Sequence, residues 1–435
     1  MSFFYIYIMN KIFGLLSLMI INSLSAQFKV EVEAPETFTG KEVYLYSLNG
    51  SKDILESKEI KKGNKWQFNL KKSYNGMMKL YFPEGNTSIN FISENKDVKL
   101  KFDYNQSKIS NIQYLDESNF VMNNLQDIQQ KKEFILPALY QMKEYYKDNS
   151  AFGKALENEV LRLSNSSTDL DKHPFVNFYN TNYAKYVEKN ASKAPATHDE
   201  IIGFLTKSND MLESSSLLRP ILVSYLNIGP SASITADVDK LLTSVNTETP
   251  RGQTVLSELI EIFDIYSMKE LKDKYLTQAS SLKCTINDRL SSTIATNKNT
   301  EIGAVFPNQI FTQATNTKAK SVADVKADKK VIIFWSSTCS HCEAELPKIL
   351  EKYNQLKAKN IEVIALSLDS EKSAYQTRVK DLPWINDSEI KGWYSSYVDK
   401  YNVHATPTYF VLDSANKIIA KPDHAADVFT YLKLN

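Results

Sequence analysis

Apolar and polar positions change rhythm twice along the chain. Between 27 and 106 they alternate or gather in short apolar runs, at 29–33, 42–46, 66–70, 78–82, 89–92 and 98–102. Turn clusters such as Leu48-Asn49-Gly50-Ser51, Lys62-Gly63-Asn64 and Glu84-Gly85-Asn86 separate the runs. A period of two, broken by turn residues, predicts strands, and short strands at this spacing predict an antiparallel β-sandwich. Between 107 and 300 apolar residues recur at helical spacing, as in Leu256-Ser257-Glu258-Leu259-Ile260-Glu261-Ile262-Phe263. Breaks at His173-Pro174, 193–197, Gly229-Pro230 and Thr249-Pro250 divide that text, which predicts an all-α domain of six to eight helices. From 301 to 435, strand-like runs at 330–335, 361–368, 408–412 and 417–420 alternate with helical text at 371–380, 394–401 and 425–434. That alternation predicts an α/β layer structure, so the chain reads as multidomain.

Composition adds an address and removes some partners. At 435 residues the chain is too long for one ordinary domain. Its 52 basic and 51 acidic residues leave a net charge of +1, so nothing directs it to nucleic acid. Residues 1–26 form a separate text: Lys11 precedes an apolar core at 12–21, and Ser23-Leu24-Ser25-Ala26 offers small residues for cleavage before Gln27. This order predicts a signal peptide and export to the periplasm. The core after Lys11 is shorter than the ~20 residues a span needs, so membrane attachment is expected only if the segment stays uncleaved.

The chain has three cysteines, Cys284, Cys339 and Cys342. So few in an exported protein do not make a disulfide scaffold; the close pair reads as reactive, and Cys284, alone in helical text, as a small buried hydrophobe. Before the pair, Val331-Ile332-Ile333-Phe334-Trp335 is a continuous apolar run of the kind a strand buried on both faces requires. After it, 343–353 has helical spacing, which puts Cys339 at or beside a helix N-terminus. Unpaired N–H groups and the helix dipole there favour a thiolate, the reactive form of the side chain. Two cysteines separated by two residues can close a disulfide across one turn and reopen it by exchange.

Phe334-Trp335, the Cys339-Ser340-His341-Cys342 motif, Glu345 and Pro347 beyond it, and Thr406-Pro407-Thr408 downstream resemble the thioredoxin fold. Within that fold they resemble the secreted TlpA/ResA-like thiol–disulfide oxidoreductases. The resemblance covers 301–435 and implies a thioredoxin-like α/β domain there. It implies a redox disulfide between Cys339 and Cys342, with Cys339 the exchanging sulfur and Cys342 the resolving one. It also implies a cis Thr406–Pro407 bond that packs against the pair and presents backbone to a substrate. Glu345 is expected to be a buried carboxylate whose raised pKa suits proton transfer. Trp335 and His341 are expected to support the site, the imidazole by favouring the thiolate. Two departures stand out: Ile333 occupies the strand position where ordinary thioredoxins carry an Asp, and Thr338 replaces the large residue common before the first Cys. Implied partners are proteins with disulfides or thiols and an envelope electron donor or acceptor, with no cofactor beyond the disulfide.

Other uses of these residues are weaker. A peroxiredoxin needs Pro and Thr/Ser seven and three residues before its reactive Cys; Ser336 meets the second requirement, but Ile332 occupies the first. In copper handling, a lone Cys-x-x-Cys supplies half a tetrahedral site, with His341 and His404 the remaining candidates. A third reading makes the β and helical parts a binding or sensing module of the cell envelope, with the thioredoxin fold as its scaffold. His173 and His198 lie beside loop signals without ligand-spaced partners and read as surface residues.

Overall fold

The computed structural model describes residues 28–105, 108–146, 150–164, 170–188 and 194–434; the expected signal peptide, 1–26, lies outside them. The chain divides into two compact units, Met1–Gly229 and Pro230–Asn435.

The first unit opens with β1 (Phe28–Glu33), β2 (Glu42–Asn49), β3 (Lys52–Ile60), β4 (Lys65–Leu70), β5 (Asn75–Phe82), β6 (Thr87–Glu94), β7 (Val98–Asn105) and β8 (Lys108–Tyr114). They form two four-stranded sheets, ordered β4-β1-β7-β8 and β3-β2-β5-β6. Neighbours run antiparallel except β1 and β7, which are parallel. Alternate residues of both sheets, among them Val30, Leu45, Phe68, Leu80, Ile89 and Leu100, meet in one core. The period of two is the imprint of that single buried face. Two strands were not expected, β3 and β8, and both lie at sheet edges. Neither strand has one fully buried face, which blurs the alternation, and β3 even leaves Ile54, Leu55 and Ile60 exposed. The β8 strand also carries the sandwich to Tyr114, past the boundary expected at 106.

Helices α1 (Glu117–Phe134), α2 (Leu136–Tyr145), α3 (Ala151–Ser164), α4 (Pro174–Tyr186), α5 (His198–Lys207), α6 (Met211–Ser214) and α7 (Leu218–Leu226) complete this unit. The start of α4 is fixed by Glu94 of β6, whose Oε1 accepts the Phe175 N–H at 2.8 Å and the Val176 N–H at 3.3 Å. Its Oε2 takes Ser118 Oγ at 2.7 Å and faces His173 Nδ1 at 3.3 Å. His173 is therefore buried, not on the surface as its loop-like context suggested. His198 is half-buried, with Nε2 3.1 Å from the Tyr225 carbonyl.

The second unit begins with α8 (Ile234–Val245), α9 (Pro250–Ile265), α10 (Lys269–Ser280) and α11 (Asp288–Asn299). Eleven helices thus occupy the described residues between 107 and 300, more than expected, because separators as short as Ile135 divide them. The helical text is also shared between the two units instead of forming one domain over 107–300. Helix α9 is buried along most of its length, and its Glu258 and Glu261 are held by Arg289 of α11 at 2.9 and 2.5 Å. A buried charge needs such partners.

Then follow β9 (Lys329–Trp335), α12 (Ser340–Ala358), β10 (Ile361–Ser367), α13 (Lys372–Val379), β11 (Ile385–Ser388), α14 (Ser396–Tyr401), β12 (Thr408–Asp413), β13 (Ile418–Ala420) and α15 (Ala425–Leu432). The sheet order is β11-β10-β9-β12-β13. The first three strands are parallel, while β12 runs antiparallel to β9 and β13 antiparallel to β12. Val331, Ile333 and Trp335 of β9 face one core, shared with α12 and α15. Ile332 and Phe334 face the other, with Tyr397 and Tyr401. The uninterrupted apolar run is the consequence of burial on both faces.

Candidate active site

The central strand β9 ends at Trp335, and four residues turn the chain into α12. That turn is pinned by Asp369, a buried carboxylate just beyond β10. It accepts Ser336 Oγ at 3.0 Å, the Ser337 N–H at 2.9 Å, Ser337 Oγ at 2.7 Å and Ser367 Oγ at 2.6 Å. Cys339 follows with extended backbone and caps α12, its sulfur accepting the Cys342 N–H at 3.3 Å. Helix starts leave N–H groups without partners, and a sulfur carrying negative charge suits that position.

Both cysteines are free thiols, Cys339 half-buried and Cys342 1% exposed. Their acidities diverge. Burial pushes Cys339 up, but the Cys342 thiol, Thr406 and the amide N–H groups of Cys342 and His341 outweigh it and bring the thiol below its ordinary value. Burial, joined by the hydrogen bond to Cys339, pushes Cys342 up to about 12. The Thr406–Pro407 bond is cis. In the thiol form Cys339 donates to the Thr406 carbonyl at 3.1 Å, so this loop lies directly on the outer sulfur.

Glu345 is buried on α12, and its pKa moves opposite to expectation. Burial pushes it up, but Lys348 Nζ at 2.6 Å and the Ala425 N–H at 2.7 Å hold the carboxyl below its usual range. The His341 side chain is exposed, and what it contributes to Cys339 is its amide. Trp335 is fully buried beneath the pair. Cys284 sits against α9 instead, 3.3 Å from Gln253 Nε2.

The cis-proline loop is also gripped from its flank. Asp264, at the end of α9, lies 3.2 Å from His404 Nε2 and 2.7 Å from Lys272 Nζ, and accepts a hydrogen bond from Asn402. Burial pushes its carboxyl up, but His404 and Lys272 more than reverse this and hold it well below the usual range. The sequence reading missed Asp264 and Asp369 because the site segments they hold, 402–404 and 336–337, lie far along the chain from them, and no local spacing signals such contacts. Among the described residues no group of three or more His, Cys, Asp or Glu side chains is arranged to hold a metal ion. No helix among them is long and apolar enough to cross a membrane.

A Cys-x-x-Cys pair at the start of the helix that follows a central strand, facing a cis-proline loop at the head of the antiparallel neighbour, defines a thioredoxin-fold domain. A model of the AhpC/TSA family matches residues 302–421. Over 121 residues the chain is 32% identical to the thiol-disulfide oxidoreductase ResA of Bacillus thuringiensis subsp. konkukian, covering 27% of this chain and 68% of that protein. Against ResA of Bacillus cereus the identity is 30% over 125 residues, covering 28% of this chain and 69% of that protein. The chain therefore belongs, through this domain, to the ResA family of thiol–disulfide oxidoreductases. A solved domain of a possible thiol-disulfide isomerase from Cytophaga hutchinsonii is also similar, at 28% identity and a TM-score of 0.28, covering 31% of this chain and 91% of that one.

Proposed function

We propose that this is an exported enzyme that reduces or isomerises protein disulfides, with Cys339 and Cys342 as its working pair. The observation that supports the assignment is the divergence of two thiols sharing one helix start, the outer one acidified and the inner one buried and held protonated. The Cys339 thiolate attacks one sulfur of a substrate disulfide, forming a mixed disulfide and releasing the first substrate thiolate. Cys342 then attacks the Cys339 sulfur, the substrate bond breaks, and its electron pair leaves on the second substrate sulfur. Two electrons have then passed to the substrate, and an envelope dithiol returns the Cys339–Cys342 disulfide to two thiols. Asp369 fixes the turn that carries Cys339, and Thr406 and Pro407 present backbone beside it. Glu345, ionised at neutral pH, ties α12 to the start of α15.

Reduction of insulin disulfides by dithiothreitol tests the pair: the wild-type chain accelerates it, and Cys339→Ser loses at least about a hundredfold of the acceleration. Retained turnover in the variant would remove Cys339 from the reaction. Export rests on the order of charge, apolar core and small residues in 1–26. The form recovered from the envelope is expected to begin at Gln27, and a full-length chain confined to the cytoplasm would refute it.

A further inference from the structure

Tyr409 stands on β12 directly opposite Ile333 of β9, in the core that also holds Cys342, Leu346 and Trp335. The residue is 1% exposed, and its hydroxyl has no hydrogen-bond partner among the described residues. Burying a hydroxyl without a partner costs about 1–3 kcal/mol, and a phenylalanine would fill the same space without that cost. The oxygen is therefore explained by a state in which it has a partner. Tyr375, another unpartnered phenol of this core, lies within the field of Asp387 and Asp369. Cys342 shares this core with Tyr409 and Cys339 packs against it, and the charges that push the phenol's ionisation upward are those of Glu345, Cys342 and Cys339. Glu345 accepts from Lys348 on one oxygen and from the Ala425 N–H on the other. Cys342 is the group whose hydrogen-bonding needs change during exchange.

We propose that the Tyr409 hydroxyl donates a hydrogen bond to the Cys342 thiolate as the mixed disulfide resolves. In that step the Cys342–Cys339 bond forms, the bond from Cys339 to the substrate sulfur breaks, and the proton lost by Cys342 ends on the released thiol. The phenol stays neutral throughout, because burial, followed by the Glu345, Cys342 and Cys339 charges, pushes its ionisation upward. An uncharged donor inside an apolar core stabilises a thiolate that would otherwise have no solvation.

This inference rests on the exchange reading, and one experiment separates the two. Reaction of the reduced protein with an aromatic disulfide that releases a coloured thiol gives two phases, the first from attack by Cys339 and the second from resolution by Cys342. In Tyr409→Phe the first phase is expected to be unchanged, while the second slows about tenfold and its pH midpoint moves up. A second phase with unaltered rate and midpoint overturns the role of Tyr409. Absence of the second phase in the wild-type chain overturns the exchange reading itself. Should the phenylalanine variant fail to fold, 3-fluorotyrosine placed at 409, a stronger donor, is expected to speed the second phase; no acceleration likewise overturns the proposal.

Discussion

Each compact unit contains a buried carboxylate that holds the start of a helix, and the two sites differ in their company. In the first unit Glu94 receives two amide N–H groups from α4, with Ser118 and His173 closing the other side. In the second, Glu345 receives the Ala425 N–H of α15 and the ammonium of Lys348, which is half in solvent. Only Glu345 shares its helix with a cysteine pair. A helix start gathers anions because its N–H groups lack partners and its dipole is positive there. Burial of a carboxylate one turn from a reactive cysteine is thus explained without any proton traffic, since a scaffold far along the chain uses the same device.

The comparison is broken most easily at Glu94. Replacing it by alanine leaves two buried amides, Ser118 and His173 without their acceptor, and a cost of about 3–5 kcal/mol follows. Urea unfolding of the full chain, followed by a probe in the sandwich, is expected to show the unfolding free energy falling by that amount. A loss below about 1 kcal/mol would mean that Glu94 is not the staple the geometry describes.

The same contrast explains what was legible beforehand. The redox motif could be read because its parts lie within a few residues of one another, so strand, turn and helix start are all encoded locally. The sandwich was legible wherever a strand buries one face, as in β1 and β7, and illegible at the edge strand β3, whose residues are mostly exposed. Strand β11 failed for the opposite reason. Its Asn386, Asp387 and Ser388 are polar yet buried, because Asp387 takes the N–H groups of Thr312 and Gln313 and the Tyr397 hydroxyl. Burial satisfied by partners some 75 residues away leaves no local pattern. Glu345 is buried as expected, but its pKa direction is set by Lys348, one turn on, and by the Ala425 N–H, 80 residues on.

The finest test concerns Glu345 itself. Its folded-state pKa lies below the unfolded value near 4.5, despite burial, because Lys348 and the Ala425 N–H favour the charged form. Its contribution to stability is therefore fully present above the unfolded pKa and fades as pH falls through the folded one. Glu345→Gln is expected to cost about 1 kcal/mol at neutral pH, discounted for the exposed lysine, and to cost progressively less as the medium is acidified toward about pH 3. Urea midpoints of both proteins at the two pH values measure this directly. The variant should also leave the pH midpoint of the resolving phase where it is in the wild type. A displaced midpoint would make Glu345 a proton relay after all and end its likeness to Glu94; an unmoved one leaves the two carboxylates as the same mechanical element, one of which happens to sit on the helix that carries the thiols.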